Sequence, residues 1–171
     1  NPALHYVEDN TLQQMAMTPI RVNYRGFYNI YNILASYAAV RTSGEKTDQF
    51  EKMLKAYNPE NGRNEQFRLG ETDVLLNLAK NPAGFNQNIS SVMEDRKPKD
   101  LIIVINDNAQ DGTDVSWLWD VDFDRLADET VRSITVSGLR CHDMRLRLKY
   151  VSMQADLIPD IKTAIEKRLA D

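Results

Sequence analysis

Residues 101–105 read LIIVI, five consecutive aliphatic side chains bounded by Asp100 and Asn106. Successive side chains of a strand point to opposite faces, so an uninterrupted apolar strand needs cover on both of them. That demand is met in a parallel sheet with helices packed on each side. The neighbouring segments repeat the pattern: TDVLLNLA (72–79) predicts a buried-type strand before it, and VRSITVSG (131–138) predicts one after it. Three helical stretches alternate with these strands. NPAGFNQNISSVMED (81–95) has Asn81 placed as N-cap and Pro82 at the first helical position. GLRCHDMRLRLKYV and PDIKTAIEKRLAD are the other two. Short apolar strands separated by helices predict an α/β fold with a mostly parallel sheet and flanking helices.

The chain before residue 58 follows a different grammar. TPIRVNY (18–24) alternates as a strand would, and Ile30, Ile33, Leu34 and Tyr37 recur at helical spacing, predicting a helix over 28–42 with Gly44 as its stop. Phe50, Met53, Leu54 and Tyr57 mark a second amphipathic helix. NPENGR then interrupts the pattern with Pro and Gly, so a domain boundary is expected there, dividing 1–61 from 62–171. The chain begins with Asn-Pro rather than Met and ends on a helix, and is expected to be a piece of something longer.

With 171 residues and 42% hydrophobic content the chain can bury a core. Its net charge is -4 with basic and acidic residues interspersed, which lacks the electrostatic footprint of a nucleic-acid binder and favours a small-molecule or protein partner. A single cysteine, Cys141, excludes an internal disulfide and fits a reducing compartment, the cytoplasm by default. No apolar run reaches the roughly 20 residues of a membrane span.

Ligands of open parallel α/β sheets sit beyond the carboxyl ends of the strands. One polar loop there is AKNPAGFN, where Lys80 and the free amides of a Pro-initiated helix would suit an anion; an ordinary capped turn has the same sequence. The other follows LIIVI. INDNAQDGTDVSWLWDVDFD holds six aspartates, Asp107, Asp111, Asp114, Asp120, Asp122 and Asp124, around both tryptophans of the chain. A calcium loop starting at Asp107 fails, because Ala109 and Leu118 fall where ligands are needed. There remains a turn at Asp111-Gly112 that presents Asp114 near a helix start, with Trp117 and Trp119 to shelter it. Such a carboxylate can orient an imidazole as the third member of a triad does, or it can be a cap beside core tryptophans.

Asn29 and Asn32 share one helical face, and two neutral amides suit a heterocycle such as adenine as well as they suit a cap and a buried amide. Arg140, Arg145, Arg147 and Lys149 are expected on the solvated side of a helix whose apolar positions are Leu139, Met144, Leu148 and Val151. His5, Cys141 and His142 receive no role.

GFYNIYNILASYAAV resembles the G-x-x-N-x-x-N-x-x-A-A helix of Mur ligases, and NGRNEQF resembles the joint between their central ATPase domain and C-terminal domain. LAKNPAGFNQ, NDNAQDGTDVSWLWDVDF and SGLRCHDMRLRLKY are similar to the MurT branch, the synthetase subunits of lipid II isoglutaminyl synthase. The resemblance implies a Rossmann-like Mur ligase C-terminal domain over 62–171, preceded by helices from the end of the central domain over 1–61.

It also implies an ATP- and Mg2+-dependent ligase. The α-carboxyl of D-glutamate in lipid II would be activated as an acyl phosphate and converted by ammonia to D-isoglutamine. The ammonia would come from a GatD-type glutaminase in a heterodimer, at the inner face of the bacterial membrane. By the same resemblance Asn29 and Asn32 contact adenine, Arg63 contacts the nucleotide, and Lys80 and Asn81 contact substrate or phosphate. Asp114, with Asp120 as the second choice, completes the Cys-His pair of the glutaminase. The phosphate loop and the four-cysteine zinc site of these proteins are absent from the 171 residues and are expected upstream. The competing class of function is a non-catalytic module that only binds a glutaminase.

Overall fold

The computed structural model describes residues 7–8, 11–12, 28–47, 49–57, 62, 65–110 and 112–170. The chain divides into two units, residues 1–58 and 59–171. In the first, β1 (Val7–Glu8) and β2 (Thr11–Leu12) pair antiparallel. α1 (Tyr28–Thr42) has the predicted bounds and buries Ile33. It closes through two bonds past its end, from the Gly44 amide to the Arg41 carbonyl and from the Glu45 amide to the Val40 carbonyl, each 3.2 Å. α2 (Phe50–Ala56) sets the ring of Phe50 edge-on to Tyr37, with centroids 5.3 Å apart. The expected strand over 18–24 lies outside the described residues.

The second unit opens with a correction. β4 (Thr72–Leu76) is not a buried strand of the parallel sheet. It pairs antiparallel with β3 (Glu65–Leu69) in a separate hairpin, and Leu75 and Leu76 are 43% and 47% exposed. The cause is local: Gly70, at φ +61°, takes the first central position of a two-residue turn, the geometry that folds a strand directly back on its predecessor.

α3 (Pro82–Glu94) begins as predicted. Asn81 is extended, and its Oδ1 accepts the Gly84 amide at 2.8 Å while Pro82 occupies the first turn, where no amide hydrogen is needed. Three parallel strands follow in spatial order: β5 (Lys99–Val104), β6 (Val131–Ser137) and the short β7 (Asp156–Leu157), which the sequence did not announce. The β5–β6 connection contains no α-helix. It descends through two 3-10 turns, Ser116–Asp120 and Phe123–Leu126. α4 (Cys141–Tyr150) makes the β6–β7 crossover, and α5 (Ile161–Ala170) ends the unit. No helix among the described residues is long and apolar enough to cross a membrane.

The register sets Ile102 opposite Thr135 and Ile103 opposite Val136. Period two then puts Leu101, Ile103 and Ile105 with Ile134 and Val136 on one face. There they join Ile89 of α3, Leu118, Val121, Phe123 and Leu126 of the 3-10 turns, and Met144 and Leu148 of α4 in one core. Phe123, Met144 and Leu148 are fully buried, each contributing about 1.5–3 kcal/mol relative to exposure. The opposite face belongs to α5. Its Arg168 donates from Nε to Thr135 Oγ1 at 2.8 Å and pairs with Asp156, which also accepts from Lys167 Nζ at 2.9 Å.

Beyond the strand ends Gly138 has φ +86°, and a Cβ there would meet the Ile105 carbonyl at 2.6 Å and Asn106 Oδ1 at 2.7 Å. Gly138→Ala is expected to cost roughly 2 kcal/mol or more, the left-handed backbone alone costing about 1–2. Urea denaturation of the second unit measures it, and an unchanged midpoint would refute the steric account.

Lys167 first, and Arg168 with it, hold the Asp156 carboxyl below its ordinary value. Thr130 does the same for Asp128 and Thr163 for Asp160. A carboxyl depressed in the folded state adds stability above its unfolded pKa of about 3.9, and loses it as pH falls through the folded value. Asp156→Asn should therefore lower the melting temperature at pH 7, and the difference from the parent should close below about pH 4. A deficit that persists undiminished at pH 3 would show that charge is not its source.

Candidate functional site

The chain leaves β6 through three consecutive amides that bond three different acceptors. Gly138 donates to the Pro159 carbonyl at 3.0 Å, Leu139 to Asn106 Oδ1 at 3.0 Å, and Arg140 to the Ile105 carbonyl at 2.9 Å. The first turn of α4 is thereby fixed against the exit of β5. Arg140 uses that position to reach Asp107 Oδ2 from Nη1 at 3.2 Å. Its Nε lies 2.8 Å from Asp143 Oδ2, an ion pair outside hydrogen-bond geometry. Arg140 is thus a half-buried bridge and not part of a solvated side, contrary to the sequence expectation.

Arg147 departs further from that expectation. It is 9% exposed, donates from Nε to the Leu118 carbonyl at 3.1 Å and from Nη2 to the Val121 carbonyl at 2.8 Å, and lies over the rings of Trp119 and Phe123. Arg145 and Lys149 are exposed as expected, whereas Leu139 is exposed instead of joining the apolar side. Spacing held the missed signal: residue 147 stands three after Met144, on the face that α4 buries.

The acidic loop is strapped to α3. Lys80 Nζ donates to the Gln110 carbonyl at 3.0 Å, the Asp122 amide to Asn86 Oδ1 at 2.9 Å, and Arg125 Nη1 to Ser90 Oγ at 3.0 Å. Trp117 packs on Phe85, with centroids 5.9 Å apart. Trp119 is 51% exposed and meets Tyr150 edge-on at 5.1 Å. Neither tryptophan shelters Asp114, which is exposed. Asp114 Oδ1 accepts the Ser116 amide at 2.8 Å, an Asx turn just ahead of the first 3-10 turn. That amide first, and the Ser116 hydroxyl second, hold its carboxyl below the ordinary value, so it is an anion at neutral pH. Asp120 closes the same turn and is exposed. Asp111 lies outside the described residues.

A cleft of about 320 Å³ opens between this loop and α4. Asp114, Ser116 and Trp119 line one side, Arg140, Asp143 and Leu146 the other, and Arg147 its wall. Asp143 is paired there with Arg140, and Asp114 stands exposed beside an apolar rim, where its carboxylate can accept from an N-H-bearing group. Lys80 and Asn81 stand at the start of α3, the amide of Asn81 engaged in its cap. Asn29 and Asn32 lie one turn apart on α1, Asn32 exposed, and Arg63 lies outside the described residues.

Comparisons with known proteins bear on the family and the fold. The MurT ligase C-terminal family matches residues 78–171. The lipid II isoglutaminyl synthase (glutamine-hydrolyzing) subunit MurT of Staphylococcus aureus (strain COL) is 36% identical over 133 residues, covering 78% of this chain and 30% of that protein. The chain therefore spans less than a third of the length of that relative. Among solved structures, the UDP-N-acetylmuramate-alanine ligase MurC of Thermotoga maritima matches 81% of this chain and 31% of its own, with a TM-score of 0.61 and 17% identity. A Mycobacterium tuberculosis folylpolyglutamate synthase complexed with ADP matches 88% and 34%, with a TM-score of 0.61 and 18% identity. These two establish the α/β fold of Mur-type ligase C-terminal regions. With the strand ends, the acidic loop and α4 all inside the matched residues 78–171, the chain belongs to the MurT ligase family.

Proposed function

We propose that this chain is part of an ATP-dependent carbon-nitrogen ligase subunit that amidates the D-glutamate α-carboxyl of lipid II to D-isoglutamine, on the cytoplasmic side of the membrane. The nitrogen comes from a GatD-type glutaminase bound to it. The observation that carries the reading is Asp114: an exposed, ionised carboxylate held by a rigid turn at the mouth of a cleft, in a chain whose relative is named as a subunit of a glutamine-hydrolysing enzyme. Such a carboxylate can accept the Nδ1 hydrogen of an imidazole from a second chain and stabilise its cationic form, the role of the third triad member. Trp119, Leu139, Leu146 and Tyr150, all exposed, provide the apolar docking face that a subunit contact needs. Asp120 is the second choice for the carboxylate.

In the same reading residues 1–61 close the central ATPase domain and 62–171 form the C-terminal domain. Asn29 and Asn32 meet adenine, and Arg63 meets the nucleotide. The residues present fit only the base end, since 171 residues include no Gly-rich phosphate loop. When bound, ATP with Mg2+ would supply the phosphoryl group that activates the substrate carboxyl. Lys80 spends one N-H bond on Gln110 and retains others for substrate or phosphate, beside Asn81.

Asp114→Asn in the full-length protein, bound to the glutaminase, should reduce glutamine hydrolysis by about 10³-fold or more. Amidation of lipid II by supplied ammonium should persist. Unchanged ammonia release would remove Asp114 from the mechanism. Trp119→Ala should weaken the complex about 10-fold or more in Kd, as loss of a central aromatic contact does. Calorimetric titration of the two subunits measures this, and an unaltered Kd would place the docking face elsewhere.

A further inference from the structure

Arg147 is the one charged side chain among the buried described residues, and no carboxylate of the described residues lies within ion-pair distance of it. We infer that Arg147 is a positioning residue for Asp114, clamping the turn whose first amide the carboxylate holds and so fixing where it stands against a neighbouring imidazole; this rests on the reading of Asp114 proposed above.

The turn Ser116–Asp120 is tied at both ends. At its start Asp114 takes the Ser116 amide. At its finish Arg147 takes the carbonyls of Leu118 and Val121. Carbonyls at the end of a helical turn carry partial negative charge, which is why a cation fits there, even though the Val121 oxygen also accepts the Phe123 amide at 3.0 Å. The rings of Trp119 and Phe123 also lie against the guanidinium, their centroids 5.5 Å and 5.4 Å from its carbon.

A methionine or leucine would fill this space without desolvating a charge. Neither could bond the carbonyls. What the guanidinium adds is direction, because its donors leave in a fixed fork that a lysine ammonium cannot reproduce. Catalytic groups are sensitive to such placement, a displacement of about 1 Å costing on the order of 100-fold. Glutamine itself would bind on the partner, so loss of the clamp should lower turnover and leave substrate affinity alone.

The test uses the full-length protein in complex with the glutaminase and three variants: R147K, D114N and the double variant. R147K is expected to melt as a folded protein, and is assayed at partner concentrations that saturate the complex, because Trp119 of the docking face lies in the same turn. It should lower the glutaminase kcat about 10- to 100-fold. Its KM for glutamine should stay within about twofold, since glutamine binds elsewhere. The double variant should be no slower than D114N alone, because the two residues act as one unit. Full kcat in folded R147K, a loss confined to KM, or a double variant slower than D114N would each overturn the positioning role while the Asp114 reading stands. Full activity in D114N would instead sink the underlying reading, and the proposal with it. Should R147K not fold, R147M keeps the packing of the stem and takes its place. If neither folds, Arg147 is structural only and the inference is wrong.

Discussion

Three consecutive amides, Gly138, Leu139 and Arg140, bind the Pro159 carbonyl, the Asn106 side chain and the Ile105 carbonyl in turn. The approach is possible because residue 138 has no Cβ; one would lie 2.6 Å from the Ile105 oxygen. Every feature of α4 inherits its place from this junction. Arg140 faces Asp107 because the first turn is pinned to the β5 exit. Met144 falls into the core one turn later, and Arg147 reaches the acidic loop about one turn after that. A helix that began one residue later would rotate by about 100° and aim none of these groups correctly.

The acidic loop meets two demands that usually conflict. It must be rigid without an α-helix of its own, and it must keep its carboxylates in water, where their charge costs nothing to desolvate. Its residues separate the two tasks. Leu118, Val121 and Phe123 are buried and anchor the loop in the core, while Asp120, Asp122 and Asp124 between and beyond them stay exposed. The straps from Asn86, Ser90 and Lys80 supply the backbone and side-chain partners that a helix would otherwise have supplied. The tryptophans share the work unequally, Trp117 packing inward on Phe85 and Trp119 outward on Tyr150.

Much of this was legible in the sequence, and the exceptions have physical causes. The cap Asn81-Pro82 and the bounds of α1 followed from local rules that tertiary contacts did not override. For β4 the hydrophobicity of TDVLLNLA points to a buried strand, but the Gly70-Glu71 turn before it folds it into a hairpin with EQFRL. Residue type places Arg147 outside and position places it inside: 141, 144, 147, 148 and 151 form one helical stripe, and a guanidinium on that stripe must find acceptors inside. Its acceptors are backbone carbonyls of a loop far away in sequence, which no pattern within α4 could reveal. β7 spans two residues, too few for a periodic signal. For the candidate site, the chemistry of Asp114 was legible as a turn-forming carboxylate, but its exposure was not, because two nearby tryptophans suggested shelter that their contacts do not give.

That exposure is what a shared catalytic site requires. A carboxylate buried within its own chain would be out of reach of a second subunit and would need its own cation. Asp114 is instead displayed at the cleft, its Oδ1 holding the Ser116 amide; on the proposed reading Arg147 settles it through the turn that follows. Around it Trp119 and Leu146 leave apolar surface uncovered; Tyr150 extends it edge-on to Trp119, and Leu139 stands at the opposite end of α4. On the proposed reading a partner that covers this rim removes water from the carboxylate only as its own imidazole arrives. The electrostatic attraction of the pair then strengthens at the moment of assembly, because the dielectric around it falls. Glutamine hydrolysis would be coupled in this way to the presence of the ligase, with no moving part beyond the docking itself.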